Sequence, residues 1–307
     1  MLAVVRVGEL AGVEDVVEVR LVLRFGHGRG VPDFRPSTPR PGSRRRQDGY
    51  ARGVALTRRV PKRSAAHRPD PVVTLLDELA DRGINYDEAD APPHATEGWH
   101  QDRQTVHLGD EPPGEPLAGG LMEKAGALVN SYEFSDPRIL RAAYRAPGDL
   151  LGRDMVLEGR FLVLRFLMGV RITHRHDELG EGAHGPERRI GWAYQTLLGH
   201  IEQGRLTYEV AKELETGRVE FRIIAHSRRA PIANPILHAG FRVFARRTQL
   251  RFYCNALHKL QRIVQDPPPP PQPGPDGVVH APTGAPAGRF EAWTLRIVDA
   301  GAGAPTR

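Results

Sequence analysis

Gly191-Trp192-Ala193-Tyr194-Gln195-Thr196-Leu197-Leu198-Gly199-His200-Ile201-Glu202-Gln203-Gly204 is the stretch from which the rest of the chain is read. Trp192, Tyr194 and Thr196 alternate with Ala193, Gln195 and Leu197, the period of a strand whose two faces differ. The alternation breaks at Gly199 and Gly204, which bracket His200 and Glu202 in a loop at the strand end. On the C-terminal side Leu206, Tyr208 and Val210 alternate with Thr207 and Glu209. After Glu215-Thr216-Gly217-Arg218 the apolar mates are Val219, Phe221, Ile223 and Ala225, a hairpin with its glycine in the turn. Glu209, Glu220 and Arg222 belong to the opposite face. Asn234-Pro235 then opens the longest helix, a capping residue followed by proline at the first position, running to about Val264. Its apolar residues form two stripes. Leu237, Phe241, Phe244, Thr248 and Phe252 make one; Leu250, Tyr253, Leu257, Leu260 and Val264 make another, turned by well over 90° at about 100° per residue. A helix lying on a surface keeps one stripe, so two imply burial against two surfaces.

On the N-terminal side the spacing predicts a strand over 157–166, a turn at Gly169, a strand over 170–176, and a charged, glycine-punctuated loop over 177–189. Further upstream it predicts a helix over 117–129 and a short helix from Asp136 and Pro137 to Tyr144. Gln104 to Leu108 reads as a short strand. Val72, Leu75, Leu76 and Leu79 form a helical stripe that Gly83 stops. Helices, a strand meander and a final long helix make an α+β layout.

Hydrophobic residues make up 40% of the 307 residues and charged ones 26%, enough for a sizeable core. No apolar run approaches the roughly 20 residues of a membrane helix. Arg6, Glu9, Glu14 and Asp15 interrupt any export signal. The single Cys254 excludes an internal disulfide and a multi-cysteine metal cluster, so the expected compartment is cytoplasmic. Between Arg35 and Arg68 eleven Lys or Arg face one acid, Asp48, a balance of +10 that leaves −4 for the remainder of a chain whose total is +6. The basicity thus belongs to one Pro/Arg-rich segment, with Tyr50 its only aromatic residue, and is weak support for nucleic-acid binding by the folded part. Three regions follow. Residues 1–70 form a basic leader, mostly disordered, whose one orderly run, Val17 to Phe25, resembles an orphan strand and also what translated upstream DNA would give. Residues 71–265 form the folded domain. Residues 266–307 form a Pro/Gly-rich, mostly disordered tail, in which Trp293, Leu295 and Ile297 alternate.

Residues from about Pro71 to Val264 resemble a bacterial and plant family of uncharacterised proteins, known only as a domain of unknown function. The resemblance is carried by Ile84-Asn85-Tyr86, by the Gly-x-x-Tyr-x-Thr-Leu-x-x-His-x-Glu-x-Gly pattern at 191–204, by Ala225-His226-Ser227-Arg228 after the hairpin, and by the Arg-rich terminal helix. The family usually has a glutamate after the last glycine of that pattern; Arg205 stands there, so no acidic role is carried to this position. The family is in turn similar to the helix-grip superfamily of START and pollen-allergen-like proteins. This implies a curved antiparallel sheet wrapped around a long C-terminal helix, with a cavity between them and no established reaction.

The resulting expectation is a small hydrophobic or amphipathic ligand held by Trp192, Tyr194, Thr196, His200, Glu202, Tyr208, Phe221, Arg228, Phe241 and Phe244, with no cofactor, metal or covalent step. The first alternative is a hydrolase or isomerase in which His200 and Glu202 carry protons, since histidine titrates near neutrality and a carboxylate can orient it. A structural alternative gives both residues to the turn. The other alternative is an interaction protein whose basic arm contacts nucleic acid. His174 and His176, at i,i+2, with His184 or His226, suggest zinc, but the charged surroundings favour a solvated strand end. Ser227 beside His226 has no nucleophile elbow, and adjacent strand residues face opposite ways. No phosphate-binding or dinucleotide fingerprint occurs.

Overall fold

The computed structural model describes residues 70–87, 98–146, 148–160, 165–230 and 246–284 in full, and the backbone alone of 2–9, 17–24, 53–58, 161, 164, 235–245 and 293–298. Strands β1 (Leu2–Glu9), β2 (Val17–Arg24) and β3 (Gly53–Arg58) precede helix α1 (Pro71–Glu78), which a 3-10 turn (Leu79–Asp81) prolongs. Then come β4 (Trp99–Asp110), α2 (Leu121–Asn130), β5 (Leu140–Arg145), β6 (Asp154–Phe161), β7 (Leu164–Gly182), β8 (Gly185–Thr196), β9 (Glu202–Glu213) and β10 (Arg218–Arg229). Helix α3 (Pro235–Ile263), β11 (Val278–Ala281) and β12 (Trp293–Val298) complete the chain. The main body is one large antiparallel sheet in the order β11-β5-β6-β7-β8-β9-β10-β4.

The two faces of this sheet follow from the period of two. One face carries Met155, Leu157, Val170, Ile172, Trp192, Tyr194, Tyr208, Val210, Phe221 and Ile223. Met122, Ala125, Leu128 and Val129 of α2 and Phe252, Tyr253, Ala256, Leu257 and Leu260 of α3 share its core. The other face carries Ala143, Val156, Leu167 and Val278 beneath Val72, Leu75, Leu76 and Leu79 of α1 and its 3-10 turn. Helix α1 starts where the Asp70 carboxylate accepts the Val72 amide at 2.9 Å. Helix α2 ends in a Schellman-type turn, with Glu133 N bonded to Leu128 O, at Tyr132, a non-glycine residue at φ 62°. Burial of the Tyr132 ring among aromatics offsets the cost of that left-handed backbone.

Several sequence expectations are corrected. The short helix from Asp136 to Tyr144 is a turn followed by a strand. The Asp136 carboxylate accepts Arg138 N at 2.9 Å, and Leu140 then enters β5, paired to β6 and β11. A capping residue followed by proline opens a tight turn as readily as a helix, and two available strand neighbours decide the outcome. The single strand over 157–166 is the hairpin β6–β7, with Phe161 opposite Leu164. Gly169 is no turn but lies within β7. A Cβ there would stand 2.4 Å from Leu79 Cδ2, so the missing side chain admits the end of the first helical segment. The charged loop over 177–189 is the far half of a long hairpin whose strands meet at Gly182 and Gly185. Cross-strand ion pairs, Asp177 with Arg188 and Glu178 with Arg189, replace apolar alternation there. Helix α2 begins at Leu121, four residues later than expected, and Leu250 is exposed, outside the stripe assigned to it. In the tail, Val278–Ala281 pairs with β5 and buries Val278, Val279 and Ala281.

Candidate functional site

Three of the four stretches that carry the family resemblance meet at one end of the sheet. Thr196, the last residue of β8, donates its hydroxyl to Asn85 Oδ1 at 2.7 Å and accepts the Gly204 amide at 2.9 Å. Asn85 in turn donates Nδ2 to Glu202 O at 2.8 Å and its own amide to Thr196 O at 3.1 Å. Gln195 reaches Tyr86 Oη at 3.1 Å, and Gln203 reaches the Asn85 carbonyl. Ile84-Asn85-Tyr86 therefore clips the β8–β9 connection shut. Two glycines of the pattern are needed for close approach. A Cβ on Gly191 would lie 2.2 Å from Tyr208 O, and one on Gly204 would lie 2.2 Å from His226 O. Replacing Thr196 by Val keeps the shape and removes the hydroxyl, leaving the Gly204 amide and Asn85 Oδ1 without it. We expect about 2 kcal/mol lower stability in urea unfolding, with unchanged far-ultraviolet circular dichroism.

His200 belongs to this clip. Its Nδ1 accepts the Glu202 amide at 2.9 Å, and burial holds its imidazole at a pKa of about 4, so it is neutral at pH 7. The Glu202 carboxyl points elsewhere. Its Oε2 lies 3.5 Å from Gln249 Nε2 on α3, and burial, opposed by Arg246 and Arg229, pushes it up to about 7. Gln249 also reaches Ser227 Oγ at 3.3 Å, while Arg246 is engaged by both carboxylate oxygens of Asp102. His200 and Glu202 thus lie next to one another in the turn, and the bond joining them is to the backbone, not from imidazole to carboxylate.

Deeper in, the core is aromatic. Trp192 and Tyr208 face each other across β8 and β9 with centroids 5.0 Å apart, and Tyr132, Phe134, Tyr194 and Phe221 surround Tyr208 at 4.5 to 6.4 Å. Such ring pairs contribute about 0.5–1.5 kcal/mol each beyond area burial. The Tyr132 and Tyr208 hydroxyls are 3.3 Å apart, and burial drives the phenols of Tyr132, Tyr194, Tyr208 and Tyr253 above their usual range. Two polar atoms in this interior have no hydrogen-bond partner among the described residues: Trp192 Nε1 on the sheet and Tyr253 Oη on α3. Both residues are 1% exposed. Such orphans are rare in folded proteins and call for an explanation.

Of the expected ligand-binding residues, Trp192, Tyr194, Tyr208 and Phe221 line this interior, and Thr196, His200 and Glu202 form its end. Arg228 does not belong there. It lies on the opposite face, its guanidinium 4.7 Å over the Trp99 ring and its Nε 2.8 Å from Gln203 Oε1, because the period of two sends Ser227 inward and Arg228 out. His226 is on that outer face as well, against Trp99 at 4.5 Å, so it does not pair with Ser227. The side chains of Phe241 and Phe244 lie outside the described residues, as do those of the basic leader. His174 rests on Thr173 Oγ1 and His176 lies 3.3 Å from Glu209 Oε2. Among the described residues no three His, Cys, Asp or Glu side chains are grouped as metal ligands. Sequence reading missed Asp102, Tyr132 and Gln249, and gave Tyr253 only a packing role. No local pattern marks the first three, since their importance arises from the pairing of β4 with β10 and the placement of α3.

Fold and site together define an antiparallel α+β domain with a polar, aromatic interior closed at one end by a hydrogen-bonded clip. The chain belongs to the family described as Domain of unknown function (DUF1990), whose profile matches residues 78–251. No curated protein matches it in sequence. Among solved structures, the crystal structure of Ara h 8.0201 is similar at 10% identity and a TM-score of 0.31, covering 55% of this chain and 99% of that one. The crystal structure of human STARD10 is similar at 8% identity and a TM-score of 0.28, covering 67% of this chain and 86% of that one. Among the described residues no helix is long and apolar enough to cross a membrane.

Proposed function

We propose that this chain is a cytoplasmic helix-grip domain that holds a small hydrophobic or amphipathic molecule between its sheet and α3, without covalent chemistry. The observation that carries this reading is the pair of orphaned, fully buried hydrogen-bonding groups, Trp192 Nε1 on the sheet and Tyr253 Oη on α3, in a largely aromatic interior. Ligand sites combine such walls with a few polar anchors. A buried donor left unmatched costs about 1–3 kcal/mol, which a ligand acceptor recovers on binding. The enzyme reading loses ground because the His200 ring is committed to the Glu202 amide, and its low pKa makes it a poor base at neutral pH.

Native mass spectrometry of the full chain, purified without detergent, tests the proposal. The expected result is a reproducible adduct of a few hundred daltons that is released on denaturation. Trp192→Phe should reduce its occupancy severalfold while leaving the fold intact by circular dichroism. A chain that arrives empty, and that takes up no neutral fluorescent probe such as N-phenyl-1-naphthylamine, would refute the carrier reading.

A further inference from the structure

The chemistry of the orphaned groups restricts what the interior accepts, given the carrier reading. Trp192 Nε1–H can only donate, so whatever satisfies it must be an acceptor. Tyr253 Oη sits on the facing helix, within electrostatic reach of Tyr194 and Glu202, and the Trp192 and Tyr194 ring centroids are 6.4 Å apart. Tyr194 thus neighbours the Trp192 ring and acts electrostatically on Tyr253. The charged groups facing this patch are few. From α3 come Arg246, with the neutral Gln249 and Tyr253 beside it; from β10, Arg229 and the neutral Ser227; from β4, Asp102; from β9, Glu202 itself. Of the two cations that act on Glu202, Arg246 is held by both oxygens of Asp102. Glu202 adds a carboxyl group with no ion pair among the described residues, which an incoming carboxylate would have to approach.

We propose that the ligand presents an uncharged oxygen acceptor, of ketone, ester or ether type, to Trp192 Nε1–H and Tyr253 Oη–H on an otherwise apolar body, and that carboxylates are selected against. Two hydrogen bonds in a dry site distinguish an acceptor from its hydrocarbon isostere by tenfold or more in affinity. An anion close to Glu202 is disfavoured until that carboxyl takes up a proton, so carboxylate binding strengthens as pH falls through about 7.

Three naphthalenes that differ only in the 2-substituent provide the test: 2-acetylnaphthalene, 2-ethylnaphthalene and 2-naphthoate, competing with N-phenyl-1-naphthylamine on the full chain. The acetyl compound should compete at least tenfold better than the ethyl compound. The naphthoate should be weakest at pH 8 and improve severalfold at pH 6. Trp192→Phe and Tyr253→Phe should each remove most of the advantage of the acetyl over the ethyl compound; the second variant serves should the first fail to fold. Equal competition by acetyl and ethyl compounds, or strongest competition by the naphthoate at pH 8, overturns the acceptor assignment while the carrier reading stands. If neither the probe nor any competitor binds, both fall together.

Discussion

Lys212→Met should destabilise the protein by about 3–5 kcal/mol in urea unfolding, the largest loss we expect from one side chain. Lys212 is fully buried, and its ammonium lies 2.8 Å from Glu111 Oε2 and 3.0 Å from the Glu115 carbonyl. Glu111 cannot swing out to water once its partner has gone. Its carboxylate also accepts the Met122 amide at 2.9 Å and the Leu117 amide at 3.3 Å, so it anchors the start of α2. Burial alone would raise the Glu111 carboxyl, but the Lys212 bond and these two amides bring it below its ordinary value. Removing the lysine leaves a buried anion held only by amide dipoles. Adding Glu111→Gln to Lys212→Met should recover part of the loss, because a neutral amide oxygen still accepts the helix amides without carrying a charge. A single-variant loss below about 1 kcal/mol would mean that water reaches this pair.

The second large effect is a cancellation in pH that variants would uncover. Glu202 has its pKa raised from 4.5 to about 7, so between those values the folded chain binds more protons than the unfolded one, and stability falls as pH rises. His200 has its pKa lowered from 6.5 to about 4, so between about 4 and 6.5 the unfolded chain binds more protons, and stability rises with pH. Over about pH 4.5 to 6.5 the two slopes oppose each other. Glu202→Gln should therefore give a stability that climbs with pH over this range. His200→Gln should give one that declines up to about pH 7. Each change should amount to about 1–3 kcal/mol across the window, allowing for the partial exposure of Glu202. Chemical denaturation at half-unit pH steps measures both slopes; parallel curves for the two variants and the parent chain would contradict the assignment.

Much of this arrangement was legible in the residues, and what was not has particular causes. The alternation of Trp192, Tyr194 and Thr196 located β8 and its inward face, and Glu215 to Arg218 located the turn before β10. Pro235 is the first residue of α3, while Asn234 lies outside the described residues. Period and capping are local signals, and they worked where the neighbours agreed with them. They misled at Asp136, where a strand partner took over, and at Gly169, where the glycine serves contact with Leu79 rather than a turn. The charged hairpin arm could not be told from a loop, because its pairing is ionic and lacks an apolar face. At the site, the aromatic wall was readable from one strand at a time. Arg228 was misplaced because its neighbours in sequence lie on the other face. The unpartnered Tyr253 hydroxyl depends on how α3 is set against the sheet, which no single segment specifies.

Among the described residues β4 pairs only with β10, and the partners, from Asp110 with Arg218 to Trp99 with Arg228, are 108 to 129 residues apart in sequence. The meander from β5 to β10 can zip strand by strand as it leaves the ribosome, whereas β4 emerges before any of it and waits for β10, the last strand of that meander. At synthesis rates of roughly 5–20 residues per second, that strand would wait several seconds with an open edge. The charged and polar run His100-Gln101-Asp102-Arg103-Gln104 then protects the nascent chain from pairing with a stranger during the delay.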